Sequence, residues 1–276
     1  MAYEIPASVG IGLRFPHFKD FLATSKPNIA WLEVHPENYK IGSSLKILEE
    51  IRTSYPLSLH GIGLSLGSPT LDLDHLKFLK FLCDLLNPGL VSEHVAWSVL
   101  DGHYLNDLLP LPYTQESLDL LVKNIEQTQE FLGRQILVEN PSSYLTFESS
   151  TFSEEEFMVN AARRSGCKIL LDINNIYVSS MNHGFCPQAY IKAFRGLDLV
   201  KEIHLAGHRR VSADLLVDDH GSTISEEVWD LYSQAVEILG LVPTLVEWDS
   251  NVPPLETLLG EAKKAQKLME TICETV

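Results

Sequence analysis

QILVENPSSYLTFESSTFSEEEFMVNAARRSGCKILLDIN, residues 135–174, holds one complete structural unit. The runs QILVEN (135–140) and KILLDIN (168–174) have the length and apolar density of strands buried in a parallel sheet. Between them, SEEEFMVNAARRSG (153–166) carries the grammar of a helix. Ser153 stands at the N-cap, Glu156 completes a capping box, and Gly166 marks the stop. Both strands end on polar groups: Glu139 and Asn140 in the first, Asp172 in the second, with Asn174 and Asn175 just after.

The same unit recurs in both directions. Six further runs read as strands: VGIGLR (9–14), AWLEVH (30–35), PLSLHG (56–61), LVSEHV (90–95), KEIHLAG (201–207) and PTLVEWD (243–249). Helical patterns fall between most of them, at 43–55, 71–86, 114–133 and 225–240, and a last one closes the chain at 254–274. Thr114 is a plausible N-cap and Gly133 a stop. The first crossover holds Pro16 and Pro27, so only a weak helix is expected there. Strands alternating with helices argue a parallel sheet, and eight strands is the number that closes a (β/α)8 barrel. The expectation is therefore an α/β protein, a xylose-isomerase-like TIM barrel forming one domain over residues 1–276. A doubly wound open sheet is the runner-up, and would need less apolar edge strands than these.

Composition narrows the function. The chain has 276 residues, 45% of them apolar, and a formal net charge of -16. That charge disfavours general binding to a phosphate backbone, so no nucleic-acid partner is expected. Four cysteines include no CxxC pair, which excludes a disulfide framework and a thiolate zinc site. The N-terminus lacks the features of a signal peptide and no run reaches transmembrane length. A cytoplasmic protein with no membrane partner is expected.

A barrel carries its functional groups where the strands end, because the loops that follow them converge there. Strand 2 ends in Glu33 and His35, with Glu37 and Asn38 beyond; strand 3 in His60; strand 4 in Glu93 and His94. Strand 5 ends in Glu139, strand 6 in Asp172, strand 7 carries His204, and strand 8 carries Glu247 and Asp249. One histidine at a strand end is usually structural, and one acid there is usually a helix cap. The run of six successive strand ends, 3 through 8, is harder to explain that way. Converging carboxylates repel one another unless cations compensate, so the pattern points to a multi-metal site at the C-terminal face of the strands. Imidazole and carboxylate without thiolate suit iron, manganese or zinc.

The stretch KEIHLAGHRRVSADLLVDDHG (201–221) extends the site onto a loop. In Asp218-x-His220 both side chains of an extended segment point one way and can share an ion. His208 is either a ligand or a partner behind one. Asp214 and Asp219 read as solvated or capping residues. Arg14, Glu37 and Asn38 are candidates for holding substrate, although Arg14 could instead pair with a buried acid. GIGLSLG (61–67) lacks the dinucleotide fingerprint and reads as backbone passing close to the metal centre. The long loop at 93–114 reads as a lid or a binding surface, and Cys167 as core.

The motifs GIGLRFPH, WLEVHPENY, LSLHGIGLSLGS, VSEHVAWS, NDLLPLPYT, ILVENPSSYL, GCKILLDINNIYVS, EIHLAGH, DDHG and TLVEWDSNVP occur in this order from about Val9 to Ala265. Together they resemble the multinuclear non-heme iron-dependent oxidative enzymes, the family of the methanobactin-biosynthesis iron oxidase. The resemblance implies a TIM barrel holding two or three irons, and oxidation of a cysteine by O2, often in a ribosomally made precursor peptide. It also implies a small partner protein that binds the peptide leader. Carried onto this chain, it implies a first iron on His60, His94 and Glu139. Glu139 would bridge to a second iron on Asp172, His204 and Glu247. A third would take Asn175, Asp218 and His220, with His208 as a further ligand. Glu139, Asp172 and His204 would form the catalytic centre. The competing expectations are a zinc- or manganese-dependent isomerase or hydrolase on the same barrel, and a metal store or peptide-binding module without turnover.

Overall fold

The computed structural model describes residues 4–40, 42–100 and 103–273. Eight parallel strands close into a barrel: Val9–Gly12 (β1), Leu32–Val34 (β2), Leu57–Gly61 (β3), Leu90–His94 (β4), Leu137–Glu139 (β5), Lys168–Asp172 (β6), Val200–Leu205 (β7) and Thr244–Val246 (β8). Each pairs with the next along the chain, and β1 closes on β8 with Val9 opposite Thr244 and Ile11 opposite Val246. All eight fall inside the runs read from the sequence or within one residue of them. The open sheet is thereby excluded.

The helices are Phe18–Leu22 (α1), Ser44–Arg52 (α2), Leu73–Leu86 (α3), Gln115–Leu132 (α4), Glu154–Ser165 (α5), Ile173–His183 (α6), Pro187–Lys192 (α7), Glu226–Leu239 (α8) and Leu255–Cys273 (α9). Their ends follow the sequence signals. Thr114 accepts the Ser117 N–H, Ser153 and Glu156 form the reciprocal capping box, and Gly133 and Gly166 end their helices in the left-handed region. The proline-bounded crossover holds only the short α1 after a 3-10 turn. Among the described residues no helix is long and apolar enough to cross a membrane.

Strand alternation positions the site. Leu32, Val34, Leu57, Leu59, Val91, Val138, Ile169, Leu171, Ile203, Leu205 and Val246 belong to one continuous apolar cluster, the layer between barrel and helices. Apart from Leu137, Leu170 and Leu245, their alternates are polar and face the barrel interior: Glu33 and His35, Ser58 and His60, Ser92 and His94, Glu202 and His204, and singly Glu139, Asp172 and Glu247. The lower interior is plugged by Ile5, Trp31 and Leu245. One physical rule, a side-chain period of two, thus packs the outside of the barrel and loads its inside with acids and imidazoles.

Three features depart from the sequence reading. The long loop after β4 contains an antiparallel hairpin, Trp97–Leu100 with His103–Leu109. A second hairpin, Arg209–Ser212 with Leu215–Val217, lies inside the 201–221 stretch. Helices α6 and α7 fill the crossover after β6, and α6 starts directly at Ile173. Asp101 and Gly102 of the long loop, and the expected helix end at Glu274, lie outside the described residues.

Candidate metal centre

Glu139 sits at the middle of the barrel mouth. Its Oε2 lies 2.9 Å from Nε2 of His60 and 3.0 Å from Nε2 of His94. Its Oε1 lies 3.9 Å from Nδ1 of His204. These come from β3, β4, β5 and β7, whose polar face turns inward as described. The far ring nitrogens of two of the histidines are held from behind: Ser92 Oγ is 2.8 Å from Nδ1 of His60, and the Gly61 carbonyl is 3.2 Å from Nδ1 of His94. Each ring is therefore aimed by a fixed partner.

The opposite side is built by β6, β8 and the loop after β7. Asp172 is the N-cap of α6: its Oδ1 accepts the Asn175 backbone N–H at 2.6 Å, leaving Oδ2 free of hydrogen bonds. Glu247 Oε2 lies 3.2 Å from Nδ1 of His204 and 3.3 Å from Nδ1 of His220. The loop returns His220 and Asp218 over the mouth, with Asp218 Oδ1 2.6 Å from Nε2 of His220. Asn175, Asp218 and His220 line one cavity of about 570 Å3 with His60, His94 and Glu247.

Several three-residue groups here have donor atoms close enough to hold a divalent ion. Among them are His60, His94 and Glu139; Glu139, Asp172 and His204; and His35, His60 and Glu247; within each, the donor atoms lie within 4.8 Å of one another. The chemistry of the donors fits a cation. Asp172 Oδ2 and Asn175 Oδ1 are buried and make no hydrogen bond, and Glu139 Oε2 and His220 Nε2 meet only other candidate ligands, a costly condition unless an ion takes those lone pairs.

Electrostatics tell the same story. Burial works against the charged form of His94, yet Glu139 outweighs it and holds the imidazole well above its ordinary pKa. Burial likewise opposes ionisation of Glu139, but His94 and His60 pull it below the carboxylate range. Asp172 goes the other way: burial and the neighbouring Glu139 push it well above that range. A cation between Glu139 and Asp172 is what would let both ionise.

The rim settles other expectations. Arg14 pairs with Asp249 and with Glu247 at 3.3 Å, so of its two possible roles the structure shows the pairing with acids. Glu37 is engaged by His75 at 3.0 Å and by the Ile62 N–H at 3.1 Å, whereas Asn38 lines the cavity. His208 reaches the cluster through Asn174: its Nδ1 is 2.8 Å from Asn174 Oδ1, and Asn174 Nδ2 donates to Asp218 at 2.8 Å. The GIGLSLG loop does pass the site closely. Its Gly61 carbonyl holds His94, and a Cβ at Gly61 would stand 2.7 Å from Glu93 Oε2.

Sequence reasoning left out His35 and Asp249 as site residues. His35 Nε2 is 3.4 Å from both Glu247 Oε1 and Asp249 Oδ1, and Asp249 Oδ2 is 3.0 Å from Nδ1 of His220. The signal was present, since Glu33-x-His35 and Glu247-x-Asp249 share the spacing of Glu202-x-His204. Cys167 is buried under β6, as expected of core.

A TIM barrel whose mouth gathers imidazoles and carboxylates around unpaired donor atoms defines a metal-dependent enzyme. The chain belongs to the family of RiPP precursor modification enzymes MbnB/TglH/ChrH, whose model matches residues 8–270. It is 46% identical to a UPF0276 protein of Vibrio parahaemolyticus, over 98% of this chain and 95% of that one. It is 47% identical to a UPF0276 protein of Acaryochloris marina, over 93% and 92%. Among solved structures, a xylose isomerase domain containing protein from Salmonella typhimurium superposes with a TM-score of 0.63 at 12% identity, covering 97% of this chain and 99% of that one. Endonuclease IV from Thermus thermophilus gives 0.59 at 13% identity, covering 98% and 100%. At such identities these two likenesses show the fold alone.

Proposed function

We propose that this chain is a multinuclear non-heme iron oxidase that uses O2 to modify a cysteine in a ribosomally made precursor peptide, acting with a small leader-binding partner protein. The observation that carries this reading is the double membership of Glu139 in neighbouring donor groups, one with His60 and His94 and one with Asp172 and His204. A single carboxylate placed so can serve two ions, and family membership supplies the class of reaction.

In this reading His60, His94 and Glu139 hold one iron, and Glu139, Asp172, His204 and Glu247 hold a second. Asn175, Asp218 and His220 hold a third, with His208 steadying Asn174 behind it. Bound iron supplies a Lewis acid for the substrate thiol and a redox partner for O2. The protein supplies the rest. The cavity has the size of a small-molecule or side-chain site. Phe15, Ile62, Leu108 and Val252 are among its lining residues and would shield an inserted cysteine from water. Asn38 offers an amide to the peptide backbone. Arg14, tied to Asp249 and Glu247, holds the rim in place.

The test is the metal content of protein purified without air from iron-supplemented cells, with a Mössbauer spectrum on the same sample. Two to three irons per chain and O2-dependent change of a cysteine-containing precursor peptide are expected. Full occupancy by zinc or manganese that iron cannot displace would overturn the oxidase in favour of a divalent-metal isomerase or hydrolase.

A further inference from the structure

Beneath the mouth lies a second group of acids that none of the proposed metal positions uses. Glu202 precedes His204 by two residues on β7 and shares its inward face; Glu33 reaches in from β2. Glu33 is 1% exposed, and Glu202 and His204 are 0% exposed. Nε2 of His204 is 3.3 Å from Glu33 Oε1 and 3.8 Å from Glu202 Oε1. The four carboxylate oxygens meet no hydrogen-bond donor other than this Nε2. Two acids at this depth with nothing else to bind are costly. The polar group they share is the back of one imidazole.

The other nitrogen of that ring faces the cluster, with Nδ1 3.2 Å from Glu247 and 3.9 Å from Glu139. His204 thus stands between the metal-holding groups and a pair of acids. His60 and His94 differ. The rear nitrogen of His60 meets a serine hydroxyl, and that of His94 a backbone carbonyl at 3.2 Å, with a single acid, Glu93, farther off at 3.8 Å. An acceptor behind a metal-bound imidazole fixes its tautomer and raises its donor strength, and a carboxylate does so more than a neutral oxygen.

We infer that Glu33 and Glu202 form a buried acidic seat that fixes His204 with Nε2–H toward the seat and Nδ1 toward the cluster, making the ion at His204, Asp172 and Glu247 the most tightly held of the set. Glu33 and Glu202 are positioning residues, acting through His204. The inference rests on the metal reading above. It adds that the metal positions are electronically unequal: the His204 position favours the more oxidised ion, and the His60–His94 position the more reduced one.

The experiment is anaerobic equilibrium dialysis of the full chain against Fe(II) and, separately, Zn(II). It compares wild type, Glu33→Gln, Glu202→Gln and Ser92→Ala, with circular dichroism checking each fold. Glu33→Gln and Glu202→Gln are expected to weaken one ion by about 10- to 100-fold and leave the others at wild-type affinity. Ser92→Ala, behind His60, should weaken a different ion. Partly oxidised Glu33→Gln protein should show a changed ferric Mössbauer signal with the ferrous signal retained. If either variant fails to fold, nitrogen-15 spectra of zinc-loaded wild type decide instead: the inference requires His204 protonated at Nε2, and a proton at Nδ1 overturns it. Wild type that loads metal beside variants with equal affinity and unchanged spectra would overturn the seat alone. Wild type that loads no metal would overturn the metal reading, and the seat with it.

Discussion

Asp172 accepts the backbone N–H of Asn175 at 2.6 Å through one carboxylate oxygen and leaves the other bare toward the barrel axis. One side chain is therefore both the cap of α6 and a candidate ligand. The capping oxygen orients the bare one, so helix geometry sets the direction of the metal-facing lone pair.

The two roles separate by substitution. Asp172→Asn keeps a capping oxygen and removes the buried charge, so metal-free stability should hold or rise while metal loading falls. Asp172→Ala also loses the cap and should be about 1 kcal/mol less stable than Asp172→Asn. Denaturant titration of both metal-free variants measures the difference. Equal stability would show that the cap contributes nothing.

Glu139 joins both halves of the mouth. Glu139→Ala should lower iron content by about tenfold or more and abolish turnover. Metal analysis beside a peptide assay tests this. A variant that keeps both iron and activity would remove Glu139 from the bridging position.

Ser153 lies on the helical side of the same crossover, far in role from the mouth. Its side chain accepts the Glu156 N–H while Glu156 accepts the Ser153 N–H. Ser153→Ala should cost about 1 kcal/mol of stability. Its metal content per folded chain should match wild type, and a loss of metal would tie the cap to the site.

Glu154 opens α5 against Tyr190, whose hydroxyl donates to it at 3.2 Å. Burial pushes its pKa up to about 7. The unfolded value is near 4.3, so the folded chain keeps this proton to higher pH. Its contribution to stability is then fully present below about 4.3 and is lost as pH rises through about 7. Thermal melts should show Glu154→Gln with a flatter decline between about pH 5 and 8, and a higher Tm than wild type at the upper end. Parallel melting curves across that range would disprove the shift.

Much of the fold was legible because it rests on local rules. Val138 and Glu139, or Leu205 and His204, already declare by alternation which side meets the helices and which the barrel axis. Ser153, Gly166 and Thr114 announce helix ends through their own backbone chemistry. The hairpin after β4 was less legible, although Asp101–Gly102 is a hairpin signal in the sequence, because its strands are short and lie outside the barrel. The fate of His208 was not legible at all. Whether it faces the cluster directly or through Asn174 depends on how a loop folds back over α6.

By itself the sequence determined the eight strands, the inward placement of the polar residues, and so the meeting of acids and imidazoles at one end of a barrel. Only the tertiary structure decided who meets whom across that end. It paired Arg14 with Asp249, brought His35 to Glu247, turned Glu37 to His75, and set Glu33 and Glu202 behind His204. The physical reason is that alternation and capping act within a few residues of chain. Partners across the barrel are chosen by strand stagger and closure, which no short stretch of sequence encodes.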